Sequence, residues 1–218
     1  MVKIAPSILA ADFENLENEI KDVEQAGADY IHIDVMDGEF VTNKTPGLEM
    51  LKISNAATDL ILDTHLMVEN PIDWIEDFSE SDIITFHIEA TDEETASKII
   101  EELHEKEIKV GISIKPNTAV EEILPYIDKI DMVLVMTVEP GKGGQKLIPE
   151  CLEKVRILRE LAPDIDIEVD GGINIETVGL VKEAGANVIV AGTAVFGAED
   201  RKFVIDKLRG DIKDEHVR

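Results

Sequence analysis

Apolar residues recur along this chain in two alternating rhythms. Short runs rich in Ile, Val and Leu, near 3–7, 29–35, 60–66, 82–87, 107–114, 131–136, 165–170 and 187–191, predict eight β-strands. Between them the period lengthens to that of a helix. Phe13, Leu16, Ile20 and Val23 fall on one helical face, as do Ala96, Ile99, Ile100 and Leu103 behind a capping box from Thr91 to Glu94. Strand and helix patterns alternate from end to end, which predicts parallel strands, because a crossover is needed to start each new strand in the same direction.

A short repeat marks the joints. Ala26-Gly27-Ala28-Asp29 and Ala184-Gly185-Ala186-Asn187 each end a helix and open a strand, with glycine where a left-handed C-cap belongs. Eight βα units in 218 residues close most economically as a single-domain (β/α)8 TIM barrel over 1–218, with Lys213 to Arg218 read as a frayed tail. An open doubly wound sheet is the competing arrangement. Against it, the first βα turn, Pro6 to Asp12, holds no glycine and so no dinucleotide fingerprint.

Composition narrows the class. With 44% apolar and only 4% aromatic residues, the chain suits strands covered on both faces by helices. No apolar run reaches the roughly 18 residues that span a bilayer, and Met1-Val2-Lys3 leads into a strand pattern without a signal peptide. A cytoplasmic location is expected, and the lone Cys151 agrees with a reducing compartment. A formal charge of -26 argues against nucleic acid and anionic membranes as partners. An anionic small molecule would have to be held locally, by backbone N–H groups, a metal or a few placed cations.

In a barrel, chemistry collects at the C-terminal ends of the strands. Strand 2 alternates Tyr30, His32, Asp34 and Met36 on one face with Ile31, Ile33 and Val35 on the other, so His32 and Asp34 point inward. Strand 3 ends at His65 and strand 7 at Asp170. A lone His-x-Asp pair is more often a hydrogen-bonded core pair than a ligand set. Two imidazoles and two carboxylates at three strand ends reverse that judgement, and they suit one divalent metal ion per chain, Zn first, with Fe, Mn or Co compatible with the ligand types. His87, beside Glu89, reads equally well as support for that site or as a satisfied core group, while His104 and His216 read as solvent-exposed.

Glycines supply the other half of a site: Gly141-Lys142-Gly143-Gly144 after strand 6, Gly171-Gly172 after strand 7, and Gly192-Thr193 after strand 8. Each pair alone reads as turn glycine. Together, with a short extra helix at Ala194 to Gly197, they read as a phosphate site. Met36, Met67 and Met136 fall at or just past strand ends, where they would wall the metal with polarizable apolar surface.

Read in order, these segments resemble the ribulose-phosphate 3-epimerase family: Ala5-Pro6-Ser7-Ile8-Leu9-Ala10-Ala11-Asp12-Phe13, His32-Ile33-Asp34-Val35-Met36-Asp37-Gly38, His65-Leu66-Met67-Val68, Met136-Thr137-Val138-Glu139-Pro140-Gly141, Val169-Asp170-Gly171-Gly172-Ile173 and Ala191-Gly192-Thr193-Ala194. The resemblance implies that His32, Asp34, His65 and Asp170 bind one metal and that Asp34 and Asp170 are the acid–base pair. It also implies that Ser7, His65 and the glycine loops contact substrate. The implied activity is interconversion of D-ribulose 5-phosphate and D-xylulose 5-phosphate through an enediolate, in the pentose phosphate pathway. The chain departs from the family pattern at Lys142, where Phe is usual, at Thr42, where Pro is usual, and at Thr193, where Ser is common.

Two other activities compete. Allulose-6-phosphate 3-epimerase is the nearest rival within the class. A phosphosugar lyase or decarboxylase would share the phosphate loops, but the Asp-x-Lys-x-x-Asp motif of those barrels is absent, and His65 favours the epimerase. A sugar-phosphate sensor without activity fits poorly with a complete acid–base set. The expected partner is a ketose phosphate, and the sequence leaves the oligomeric state, including a homo-oligomer, open.

Overall fold

The outward positions of the strands are aliphatic and many of the inward ones are polar, and that contrast organises the chain. The computed structural model describes residues 1–211. Its strands are β1 (Lys3–Ala5), β2 (Tyr30–Met36), β3 (Ile61–Met67), β4 (Ile83–His87), β5 (Lys109–Ile114), β6 (Met132–Met136), β7 (Asp166–Asp170) and β8 (Val188–Val190). All hydrogen-bonded neighbours are parallel, in the order β1-β8-β7-β6-β5-β4-β3-β2. The last seam, between β1 and β2, is bridged at Ser7 and His32, where the His32 N–H donates to Pro6 O at 3.1 Å and the Asp29 N–H to Ile4 O at 2.9 Å. The fold is the expected (β/α)8 TIM barrel.

Helices α1 (Leu16–Gln25), α2 (Gly47–Ala57), α3 (Glu93–Glu105), α4 (Leu152–Leu161), α5 (Val178–Ala184) and α7 (Arg201–Arg209) connect or follow the strands, and the short α6 (Thr193–Phe196) follows β8 at the predicted place. Two crossovers lack an α-helix: β3 to β4 holds only the 3-10 turn Pro71–Trp74, and β5 to β6 only Val120–Glu122 and Leu124–Lys129. Pro125 lies inside the latter and has no N–H with which to extend an α-helical ladder. Phe13 departs from the expected stripe: it lies in a 3-10 turn and is 44% exposed, so α1 buries Leu16, Ile20 and Val23 alone. The capping of α3 also differs from expectation. Asp92, not Thr91, is the N-cap, accepting from the Thr95 N–H at 2.8 Å, while Thr91 turns back to donate to Ile88 O. An anionic acceptor there also complements the helix dipole.

Ile31, Ile33 and Val35 are fully buried within the large core that includes the helix stripes; each such side chain contributes about 1.5–3 kcal/mol of burial. Inside the barrel, Ala5, Tyr30, Ile83, Met132, Val188 and Val190 form a separate apolar plug. Polar groups are thereby gathered above it, toward the C-terminal mouth.

The joint repeat extends further than the two copies visible as Ala-Gly-Ala. Asp29, Asp82, Asp131 and Asn187 each stand one residue before an even-numbered strand. Their side chains accept from the N–H groups of Ile4, Leu62, Val110 and Ile167 on the preceding odd-numbered strand, at 2.8, 2.8, 2.9 and 2.8 Å. Gly27 and Gly185 take positive φ, 97° and 113°, as the repeat predicts. The tail expected to fray, 213–218, lies outside the described residues, as does His216. No helix among the described residues is long and apolar enough to cross a membrane.

Candidate active site

Period-two alternation on β2 does what it predicts: His32 and Asp34 are buried inside the barrel, beside inward residues of β3 and β7. His32, Asp34, His65 and Asp170 each offer a ligand atom, and these atoms all lie within 4.8 Å of one another. Asp34 divides its two oxygens. Oδ1 faces His65 Nδ1 at 3.2 Å and His32 Nε2 at 3.5 Å, while Oδ2 accepts from the Ser7 hydroxyl at 2.6 Å. The cluster could hold a metal ion.

One orphaned atom tests whether it fits. His32 Nδ1 stands 2.6 Å from Asp63 Oδ2, and a carboxylate at that distance takes the hydrogen of a neutral ring on Nδ1. Nε2 is then a lone pair, fully buried and with no hydrogen-bond partner, turned toward Asp34. Such an atom costs about 1–3 kcal/mol unless something electrophilic meets it. Two imidazoles and two carboxylates are the donor set of a divalent transition metal, so the residues present fit the expected ion.

Charges in the pocket respond to one another. Without an ion, burial opposes a charge on His32, yet the carboxylates of Asp63 and Asp34 outweigh it and hold its proton affinity well above the ordinary value, so a proton takes the Nε2 position that a metal would claim as a lone pair. Burial would raise the Asp34 carboxyl, but His32 and His65 hold it far below the usual carboxylate range. Burial and the Asp34 charge push Asp170 up to about 6. Two carboxyls in one site are thus driven apart in proton affinity, as an acid and a base require.

A cavity of about 780 Å³ opens above the cluster. Its wall includes Ser7, Asp34, Gly141, Lys142, Gly143, Gly144, Asp170, Gly171, Gly172, Gly192 and Thr193, so the substrate-binding residues expected from sequence converge there, with one exception of depth. His65, like His32 of the metal set, is 0% exposed and lies behind the wall. Met36, Met67 and Met136, buried and lining the cavity, form the expected apolar wall. The loops after β6 and β8 face each other: a Cβ on Gly143 would stand 3.9 Å from Thr193 Oγ1. Gly172 has a further, structural reason, since at its φ of 69° a Cβ would lie 2.1 Å from the Leu147 backbone nitrogen. The close approach of the β6 and β7 loops therefore requires glycine.

Several groups escaped the sequence reading. Thr137 holds the base of Asp170, its N–H and hydroxyl donating to Asp170 O at 2.8 and 2.9 Å and its hydroxyl to Gly171 O at 2.7 Å. Asp63 and Glu168 are fully buried next to His32; burial and Asp63 hold the Glu168 carboxyl well above its ordinary value. Their inward positions were readable from alternation with Leu62 and with Ile167 and Val169, but not their partner. Lys146 joins Lys142 on the cavity wall. His104 is exposed on α3, as expected.

The family model described as the ribulose-phosphate 3 epimerase family matches residues 3–196, which hold every strand and every residue of this cluster. The chain belongs to that family. It is an isomerase, a ribulose-phosphate 3-epimerase by its relatives. It is 49% identical over 215 residues to the ribulose-phosphate 3-epimerase of Schizosaccharomyces pombe, covering 96% of this chain and 93% of that one. To the enzyme of the same name from Bacillus subtilis it is 48% identical, covering 96% and 99%. The cytoplasmic isoform of ribulose-phosphate 3-epimerase from Oryza sativa is 44% identical, covering 97% and 94%. Among solved structures, a 3-hexulose-6-phosphate synthase superposes with a TM-score of 0.71 at 20% identity, covering 98% of this chain and 100% of that one. KGPDC from Streptococcus mutans superposes with a TM-score of 0.70 at 14% identity, covering 96% of each. Those two likenesses are of fold; the epimerase family is set by the sequence.

Proposed function

We propose that this epimerase interconverts D-ribulose 5-phosphate and D-xylulose 5-phosphate, with Asp34 and Asp170 as its two proton carriers. His32, Asp34, His65 and Asp170 would hold one divalent metal, Zn first among Zn, Fe, Mn and Co. The observation that carries the reading is the convergence of two carboxyls and two imidazoles, their ligand atoms within 4.8 Å of one another, in one buried cluster at the cavity floor.

Inverting C3 beside a C2 ketone requires a proton to leave one face and another to arrive on the opposite face. In the metal-free cluster the depressed Asp34 carboxyl is ionised and the Asp170 carboxyl, raised to about 6, carries a proton over part of the neutral range, so the pair can hold one proton between them. Asp34 is the base in one direction and Asp170 the acid, and the roles exchange in the other. A divalent metal, when bound, supplies stabilisation of the negative charge that develops on O2 and O3. Ser7 fixes Asp34 through its 2.6 Å bond, and Thr137 fixes the strand end that carries Asp170. The methionines exclude water from the reacting carbon.

At the far end of the cavity, the Gly143–Gly144, Gly171–Gly172 and Gly192–Thr193 loops offer backbone N–H groups to the substrate phosphate, with Lys142 and Lys146 as the cations on the wall. The whole described chain acts as one catalytic domain, and we read it as a cytoplasmic enzyme of the pentose phosphate pathway, like the relative from rice that is named a cytoplasmic isoform. Purified protein assayed on five- and six-carbon ketose phosphates, with its metal identified in the same preparation, tests this. Epimerisation of ribulose 5-phosphate that stops on chelation and returns with metal is the expected result. Preference for allulose 6-phosphate, cleavage of a carbon–carbon bond, or full activity in verified metal-free protein would each refute it.

A further inference from the structure

The imidazole of His65 is gripped from behind by a chain of groups that ends at the barrel rim. Its Nε2 lies 2.9 Å from His87 Nε2, and His87 Nδ1 lies 3.0 Å from Glu89 Oε2. Glu89 Oε1 accepts from the Lys115 backbone N–H at 2.7 Å and from the Thr118 hydroxyl. The loop that carries both donors is itself pinned. Lys154 Nζ donates to the carbonyls of Lys115 and Pro116 at 2.8 Å each and of Thr118 at 2.5 Å. The Phe40 ring covers His87, 4.8 Å between centroids.

From the Glu89 end, the hydrogens fall into place contact by contact. A carboxylate receiving two donors on Oε1 acts as an acceptor, so the hydrogen between Glu89 and His87 belongs to His87 Nδ1. Full burial disfavours a second, cationic hydrogen on His87, and with its one hydrogen on Nδ1 its Nε2 presents a lone pair. The 2.9 Å contact then needs its hydrogen on His65 Nε2. Nδ1 of His65, the nitrogen facing Asp34 Oδ1 at 3.2 Å, is left open for a cation between them.

We propose that His87 and Glu89 are positioning residues that hold His65 in its Nε2–H form and so turn its Nδ1 toward the carboxylates of the site. His32 receives the same service in one step from Asp63; His65 receives it in two, from a carboxylate at the rim. The consequence for metal binding rests on the reading of His65 as a ligand, whereas the placement of its hydrogen does not. Fixing a ligand's tautomer this way is worth roughly 10–100-fold in metal affinity.

Zinc titration and imidazole NMR on the full chain test the proposal. Long-range proton–nitrogen spectra of the parent protein should place a hydrogen on His65 Nε2 in both zinc-free and zinc-loaded forms. Glu89→Ala should mix the His65 tautomers and weaken zinc roughly 10–100-fold, and Glu89→Gln, which keeps one acceptor oxygen, should lose less. A merely structural role for Glu89 would lower the thermal midpoint and leave the tautomer and zinc affinity alone. That result, or a hydrogen on His65 Nδ1 in the zinc-loaded parent, overturns the proposal. A parent chain that carries the Nε2 hydrogen and binds no zinc would refute the metal reading and uphold the positioning one.

Discussion

The Ser7 hydroxyl donates to Asp34 Oδ2 at 2.6 Å, across the seam where β1 meets β2. Both residues are almost fully buried at the wall of the cavity, where a water from the cavity would replace the donor less rigidly than the hydroxyl it succeeds. A hydrogen bond to a buried charge contributes about 1.5–3 kcal/mol. Ser7→Ala is therefore expected to lower kcat/KM roughly ten- to hundredfold. Steady-state kinetics on ribulose 5-phosphate check it, and a variant as fast as the parent would show that Ser7 does not hold the base.

Asn at either carboxylate keeps the shape and removes a proton carrier. Asp34→Asn and Asp170→Asn should each slow epimerisation by about 10²–10⁴-fold. Because both residues belong to the metal cluster, rate alone is ambiguous, and deuterium exchange at C3 of metal-loaded variants separates the causes. Each variant should still exchange the proton of one epimer, and the surviving epimer should differ between the two. Exchange of the same epimer by both would end the two-faced mechanism.

Lys142 stands where the family usually has Phe, on a loop fixed on either side of its side chain. Asn43 donates to Gly141 O at 2.7 Å, and Gln145 donates to Lys142 O at 2.9 Å. With a formal charge of -26 on the chain, a cation at the cavity rim favours an anionic substrate. Lys142→Ala should raise KM with kcat little changed, and the increase should shrink as salt rises. A KM equal to the parent's across salt concentrations would make Lys142 a bystander.

How far the site could be read from sequence depended on whether the periodicity alone carried the information. The inward placement of His32 and Asp34 follows from alternation with Ile31, Ile33 and Val35, and barrel closure brings His65 and Asp170 to the same mouth. The grips behind them do not follow. Asp63 to His32, Thr137 to Asp170 and Glu89 to His87 are side-chain pairings across strands whose register no single-strand pattern fixes. The missing helix around Pro125 and the shift of the α3 cap from Thr91 to Asp92 show the same limit locally. At the cap, neighbouring residues offer equivalent chemistry and packing chooses between them, whereas at Pro125 the missing N–H of the proline itself decides.

Glu89 also makes a pH signature. Burial would raise its carboxyl, but the hydrogen bond from His87, with those from Lys115 and Thr118, brings it from 4.5 down to about 2. A carboxyl lower in the folded state than in the unfolded one stabilises the fold above about 4.5, and that contribution is lost as pH falls toward about 2. Glu89→Gln should thus be less stable than the parent near neutral pH, and the gap in urea midpoint should narrow in acid. A gap that stays constant down to the acid limit of folding would contradict this depressed carboxyl.

The four side chains that stand before an even strand and accept a backbone N–H, Asp29, Asp82, Asp131 and Asn187, all tie that strand to the odd strand just before it. None of these four ties an odd strand to the even strand before it, although His32 and Asp63 pair side chain to side chain between β2 and β3. Cutting the chain between β2 and β3, β4 and β5, or β6 and β7 leaves all four of these backbone ties inside one piece, whereas cutting within a pair severs one. The barrel is in this sense a ring of four double-stranded staves, and the joints between staves are where split halves should reassemble and where segments from related barrels should exchange with least loss.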